Sequence, residues 1–194
     1  MPFIKRYISD PTQATLDKNI DTAVWRYSAI HGVDRFLIRA IIKTESDYDV
    51  MALREEPHLR DNTGWYKRSL KDVKVLTDYH YCSMGLMQVL FGVASGEYGF
   101  IGHPFEMFDP NVNIALGTAH IAKYLKRYKG NLEHAIASYN QGNNGWIDKD
   151  GDGIKDPGEP YRNQEYVDKV LAEYERLKKP NPEAEKPNPK EEKQ

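Results

Sequence analysis

Glu45 closes an apolar run, Phe36-Leu37-Ile38-Arg39-Ala40-Ile41-Ile42-Lys43-Thr44-Glu45-Ser46, whose helical spacing would turn its carboxyl group toward the core. Apolar surroundings disfavour an ionised carboxylate and raise its pKa, so a Glu held there keeps a proton near neutral pH and can give it to a leaving oxygen. Acid–base chemistry of this kind often pairs two carboxyl groups in contrasting environments. Asp47 and Asp49 follow at once, but the helix-end geometry points them away from the Glu45 face, and only Glu45 is well placed. Taken alone, the segment reads first as a solvated helix end.

Two further stretches change that reading. Ser83-Met84-Gly85-Leu86-Met87-Gln88-Val89 and Ala135-Ile136-Ala137-Ser138-Tyr139-Asn140-Gln141-Gly142 follow in order, and Pro160-Tyr161-Arg162-Asn163-Gln164-Glu165-Tyr166-Val167 makes a fourth match. With these motifs the sequence resembles the soluble-lytic-transglycosylase type of peptidoglycan-cleaving enzyme, on a goose-lysozyme-like fold, from about Leu16 to Leu177. The resemblance implies a scheme with one carboxyl group. Glu45 protonates the oxygen between N-acetylmuramic acid and N-acetylglucosamine, the substrate's acetamido group stabilises the positive centre, and Glu45 then acts as base while the muramic 6-hydroxyl closes a 1,6-anhydro ring. Tyr139 is the second expected catalytic residue, aiming its hydroxyl at the reacting sugar or at Glu45, with a core Tyr as its plainer reading. Gln88 and Asn140 offer amides for acetamido groups and hydroxyls, and Ser46 can bond an N-acetyl group or cap its helix. Met87 and Tyr166 offer apolar faces for sugar rings. Two rivals stay open: a true lysozyme that uses the same Glu45 with water as acceptor, and a calcium-stabilised glycan-binding module without turnover.

Asp148-Lys-Asp150-Gly-Asp152-Gly153-Ile154-Lys-Asp156-Pro-Gly-Glu159 has the spacing of a calcium loop, with side-chain ligands Asp148, Asp150, Asp152, Asp156 and Glu159, the Ile154 carbonyl, and a glycine at the sharp turn. So many carboxylates in one short loop repel without a cation, so a structural Ca2+ is the expected cofactor. Lys155, at a position usually apolar, and Pro157 and Pro160 set the loop apart from a paired EF-hand. The histidines His31, His58, His80, His103, His120 and His134 show no helical metal-binding pair, which disfavours a zinc peptidase. Cys82 is a single cysteine with no His beside it in sequence, and reads as a packing residue.

The elements that must position these groups are helical. Thr15 to Ile30 carries Leu16, Ile20, Ala23, Val24, Tyr27 and Ile30 at helical spacing, and Asp34 is a suitable N-cap for a helix through Ser46. A third helix is expected from Gly85 to about Ser95, a fourth from Asp109-Pro110 toward Gly130, a fifth from Asn131 to Gly142 and a last from Asn163 to Lys178. The fold class is therefore mainly α, an α+β lysozyme-like domain, with any hairpin confined to the stretch between Ser46 and Cys82. Met51 to Ser83 is longer than the family's usual spacing. Its Glu55, Glu56, His58, Trp65, Tyr66, Tyr79, His80 and Tyr81 suit a packed subdomain slightly better than a lid. Residues 1–14 read as an N-terminal extension, 15–179 as the catalytic domain, and 180–194, almost wholly Pro, Asn, Glu and Lys, as a disordered tail.

A chain of 194 residues that is 40% apolar suits one domain with a real core. A formal net charge of −2 supplies no global field for nucleic acid, and no basic stripe is interleaved with aromatics. No segment approaches a membrane span, and the N-terminus has no apolar stretch of signal-peptide length. The expected partner is the glycan strand of peptidoglycan, met by a monomer in the cell envelope, periplasm or extracellular space, with phage delivery as one route there.

Overall fold

The structure is a computed structural model that describes residues 13–60, 64–142, 147, 155 and 159–179. Residues 1–12, the tail 180–194 and most of the acidic loop lie outside the described residues.

The helices pack pairwise against one another. α1 (Gln13–His31) packs Ile20, Ala23 and Val24 against α5 (Pro110–Arg127), which begins at Pro110 because the Asp109 side chain accepts from the Asn111 and Val112 amides. α2 (Arg35–Ser46) buries Leu37, Ile38, Ala40, Ile41 and Ile42. Asp34 caps it by accepting from the Phe36 amide at 2.8 Å, and accepts the Tyr174 hydroxyl at 2.9 Å, so one carboxylate ties the start of α2 to α7 (Gln164–Lys178). α2 ends where Asp47 turns left-handed with φ 53° and returns its amide to the Lys43 carbonyl. α6 (Leu132–Gln141), capped by Asn131, packs between α5 and α7 with Ala135 to Tyr139 buried.

Beside the helices lies a small antiparallel sheet in the order β1-β2-β3, formed by β1 (Leu53–Glu55), β2 (Cys82–Met84) and β3 (Val89–Leu90). Its register sets Arg54 opposite Ser83, and Met84 opposite both Leu53 and Val89. Between β1 and β2 the chain folds through the short helix α3 (Trp65–Ser69), which packs on α4 (Phe91–Tyr98). Tyr66 is fully buried there, donating to the His80 carbonyl and accepting from the Gly92 amide at 3.2 Å. Tyr66 and His80 of the 51–83 segment are thus packed, while Trp65 and Tyr79 stay exposed.

Two expectations need correction. The helix expected from Gly85 begins only at Phe91, because Gly85 and Gln88 take positive φ values of 71° and 45° and Val89–Leu90 pairs with β2. The sheet consequently extends beyond Cys82 and is not confined to the stretch before it. An apolar run this short has the same pattern as strand or helix, and long-range pairing decides which forms. The first helix starts at Gln13, just ahead of the stretch expected from Thr15.

Candidate functional site

The turn between β2 and β3 is fixed by a side chain of α5. Asn113, fully buried on α5, accepts the Met87 amide at 2.7 Å and donates to the Met84 and Met107 carbonyls at 2.8 and 2.9 Å. One side-chain amide thereby bonds three backbone groups, two at the β2–β3 turn and one in the helical turn Pro104–Phe108. Gly85 is required twice over. Its φ is left-handed, and a Cβ there would stand 2.5 Å from the Asn113 amide nitrogen and 2.6 Å from the Met107 carbonyl. Gly117 serves the same contact from α5, since a Cβ would meet the Met87 sulfur at 2.5 Å.

Between this turn, α2, α6 and the β1 side lies a cleft of about 910 Å³. Glu45 lines it from the end of α2, Gln88 from the turn, and Tyr139 and Asn140 from α6, so four expected site residues meet in one cavity. Glu45 is half-buried, and its pKa is raised to about 7. Lost hydration is the main cause, and the Glu56 carboxylate adds to it. A hydrogen bond from Tyr166 and the Arg54 charge work the other way.

The structure moves one role and removes another. The hydroxyl that reaches Glu45 belongs to Tyr166, which donates to Oε1 at 2.7 Å from α7, whereas Tyr139 donates to the Met87 carbonyl at 2.7 Å. Tyr166 is thus a partner of the carboxyl group, where an apolar face for a sugar ring was expected, and it is not among the cleft-lining residues. Tyr139 has spent its proton on the turn, and what it can still offer a ligand is an acceptor oxygen. Met87 is fully buried against Gly117 and presents no face to a sugar. Ser46 sits off the cleft and ties α2 to the turn, its hydroxyl 2.9 Å from the Leu86 carbonyl and 3.1 Å from the Ile42 carbonyl. Gln88 donates to the Ala52 and Gly85 carbonyls at 3.0 and 2.9 Å, leaving its amide oxygen for a ligand. Asn140 accepts from Asn163 at 2.9 Å, which leaves its donors.

Arg54 joins the site without being named in the sequence reading, and Glu56 and Trp65 join it from the stretch read as a packed subdomain or a lid. Arg54, Glu56 and Trp65 line the same cleft as Glu45. Arg54 donates to Glu56 at 2.8 Å, and Ser83, from the opposite strand, donates to the same oxygen at 3.2 Å. For Arg54, sequence offered only a lone charge in a very short strand, a signal too brief to stand out. At the far end of the cleft, Lys123 pairs with Glu97 at 2.7 Å, and buried His120, its pKa lowered to about 4 by lost hydration, meets the Tyr98 hydroxyl at 2.9 Å.

Of the expected metal ligands, Asp148, Asp150, Asp152, Ile154 and Asp156 lie outside the described residues. Glu159 is described and buried. Among the described residues no three His, Cys, Asp or Glu side chains come together as a metal site.

Comparison with known proteins adds two findings. The family model described as "Transglycosylase SLT domain" matches residues 23–156, more than half of the chain. Among solved structures, an inactive Glu-to-Gln mutant of the lytic transglycosylase Slt from Pseudomonas aeruginosa is similar over 84% of this chain, with a TM-score of 0.55 and 20% sequence identity. That likeness is one of fold, and the chain spans 25% of the Slt chain.

Proposed function

The chain belongs to the transglycosylase SLT domain family, and on that premise we propose that it is a peptidoglycan lytic transglycosylase with Glu45 as general acid and then general base. The observation that carries the proposal is the Glu45 carboxyl group itself, half-buried in the cleft, bonded to Tyr166 and protonated up to about pH 7. A carboxyl group so poised gives its proton to the bridging oxygen as the glycosidic bond breaks. The pair of electrons leaves with that oxygen, and positive charge gathers on the muramic C1, where the substrate's acetamido group can share it. The ionised Glu45 then takes the proton of the muramic 6-hydroxyl, whose oxygen bonds to C1, and the acid is restored with no water consumed. Gln88 and Asn140 hold the flanking sugars by their remaining acceptor and donors. Tyr166 fixes the rotamer of Glu45, and Tyr139 fixes the turn that carries Gln88.

In the Pseudomonas Slt, a Glu-to-Gln change marks an inactive form, and the same exchange at Glu45 is the direct test here. Glu45→Gln should fold and leave purified cell walls intact, while the unmutated protein releases soluble fragments. Mass spectrometry of those fragments should show ends lacking one water; ends that have gained a water would make the enzyme a lysozyme. Such an enzyme meets its substrate outside the cytoplasm, and among the described residues no helix is long and apolar enough to cross a membrane.

We further propose that the loop from Asp148 to Glu159 takes a structural Ca2+, on the strength of its sequence spacing. Asp148, Asp150, Asp152, Asp156 and Glu159 would offer hard carboxylate oxygens and Ile154 its carbonyl. The ion would hold closed a loop that leads from α6 to α7.

A further inference from the structure

We propose that Glu56 is a second catalytic carboxylate of this cleft, held by Arg54 and Ser83 so that its negative charge stabilises the positive charge gathering on the sugar after Glu45 gives up its proton. The inference rests on the proposed glycan-cleaving reading and adds a residue that the one-carboxylate scheme does without. Glu56 lines the same cavity as Glu45. Its side chain keeps 17% exposure, enough to meet a ligand while remaining largely shielded from water. Both firm hydrogen bonds, from Arg54 at 2.8 Å and Ser83 at 3.2 Å, fall on Oε1. Oε2 has the exposed His58 ring at 3.8 Å, beyond hydrogen-bonding distance. The backbone is fixed as well, the Glu56 amide donating to the Tyr81 carbonyl at 2.9 Å. A carboxylate anchored through one oxygen, with the other left to a cleft that holds a general acid, is preorganised to face developing positive charge. An ion pair serving stability alone would need no place in that cavity.

Glu45 and the Arg54–Glu56 pair are also coupled electrically. The groups facing Glu45 are Tyr166 from α7, Tyr139 from α6, and Arg54 and Glu56 from the β1 side, with His58 behind Glu56 and the Lys123–Glu97–His120 group at the far end. Glu56 raises the proton affinity of Glu45 and Arg54 lowers it. The members of the pair therefore act on the acid with opposite signs.

The test compares Glu56→Gln, Arg54→Met and the unmutated protein on soluble glycan strands across pH, with the Glu45 carboxyl group titrated by carbon NMR. Glu56→Gln keeps the shape and a bonding oxygen for Arg54 and Ser83, so its melting temperature should hold. Its kcat should fall at least roughly tenfold with KM nearly unchanged, Glu56→Asp should recover part of the loss, and both the alkaline limb and the NMR midpoint should move to lower pH. Arg54→Met should move limb and midpoint to higher pH. Turnover of Glu56→Gln within about twofold of the unmutated enzyme, or a loss confined to KM, overturns the inference, as do midpoint shifts of the same sign in both variants. If Glu45→Gln is inactive while Glu56→Gln is fully active, only this inference fails; an unmutated protein that leaves glycan intact takes the function reading down with it.

Discussion

Hydration and acidity compete at Glu45. The folded protein holds the carboxyl proton up to about pH 7, whereas an ordinary Glu releases it near 4.5. Between those values the native state binds more protons than the unfolded chain, so stability falls as pH rises through that window and is level outside it. The cost above pH 7 is at most on the order of 3 kcal/mol, reduced by what solvent screening survives at the cleft edge. Glu45→Gln should therefore melt like the unmutated protein at pH 4 and several degrees higher at pH 8, about 5 °C for a chain of this size, which paired thermal scans would show. Equal melting temperatures at both values would mean that the carboxyl group is well hydrated after all. Tyr166→Phe removes a donor that favours the ionised form, so the alkaline limb of activity should move to higher pH. That partnership was hidden from sequence, because Tyr139 and Tyr166 both sit on apolar helix faces and only the packing of α7 on α2 decides whose hydroxyl meets the acid.

At the scale of elements, the β2–β3 turn is held from outside itself. Asn113→Ala should leave the Met87 amide and the Met84 and Met107 carbonyls without their partner, and lower stability by about 3 kcal/mol. Chemical denaturation would measure this, and a loss under about 1 kcal/mol would mean that water replaces the amide. Tyr139→Phe should cost about 1 kcal/mol through the Met87 carbonyl. Its effect on turnover should be smaller than that of Glu45→Gln, since the hydroxyl proton faces the turn. Helix limits were legible wherever a cap announced them: Asp34, Asp109 and Asn131 each accept the amides their positions suggest. The turn was misread because the Gly85 and Gln88 conformations depend on Asn113, twenty-five or more residues later in the chain. No local pattern carries that information.

Across the whole molecule, the order of the motifs along the chain was enough to reach the family and the mainly helical class, because Glu45, Gln88, Tyr139 and Asn140 arrive at one cavity from three separate elements. Arg54 was not legible as part of the site, since it is set beside the cleft by the pairing of β1 with β2 and by its bond to Glu56. Calcium, if held by the 148–159 loop, acts at this scale too. Chelation should lower the melting temperature by mass action, and Asp148→Ala with Asp152→Ala should reproduce the effect. Magnesium should substitute poorly, because it demands a tighter octahedral shell. A melting curve indifferent to chelator, with no heat of calcium binding, would reduce the loop to an acidic turn. The bond from Tyr166 to Glu45 joins residues 121 positions apart. Contacts that distant form late, after the intervening loop entropy has been overcome. During refolding, the helical signal should thus return before wall-cleaving activity does, and a nascent chain would carry its acid on α2 well before α7 arrives to orient it. If the chain cuts cell wall as proposed, cutting is in this way withheld until α7 has been made and has packed on α2.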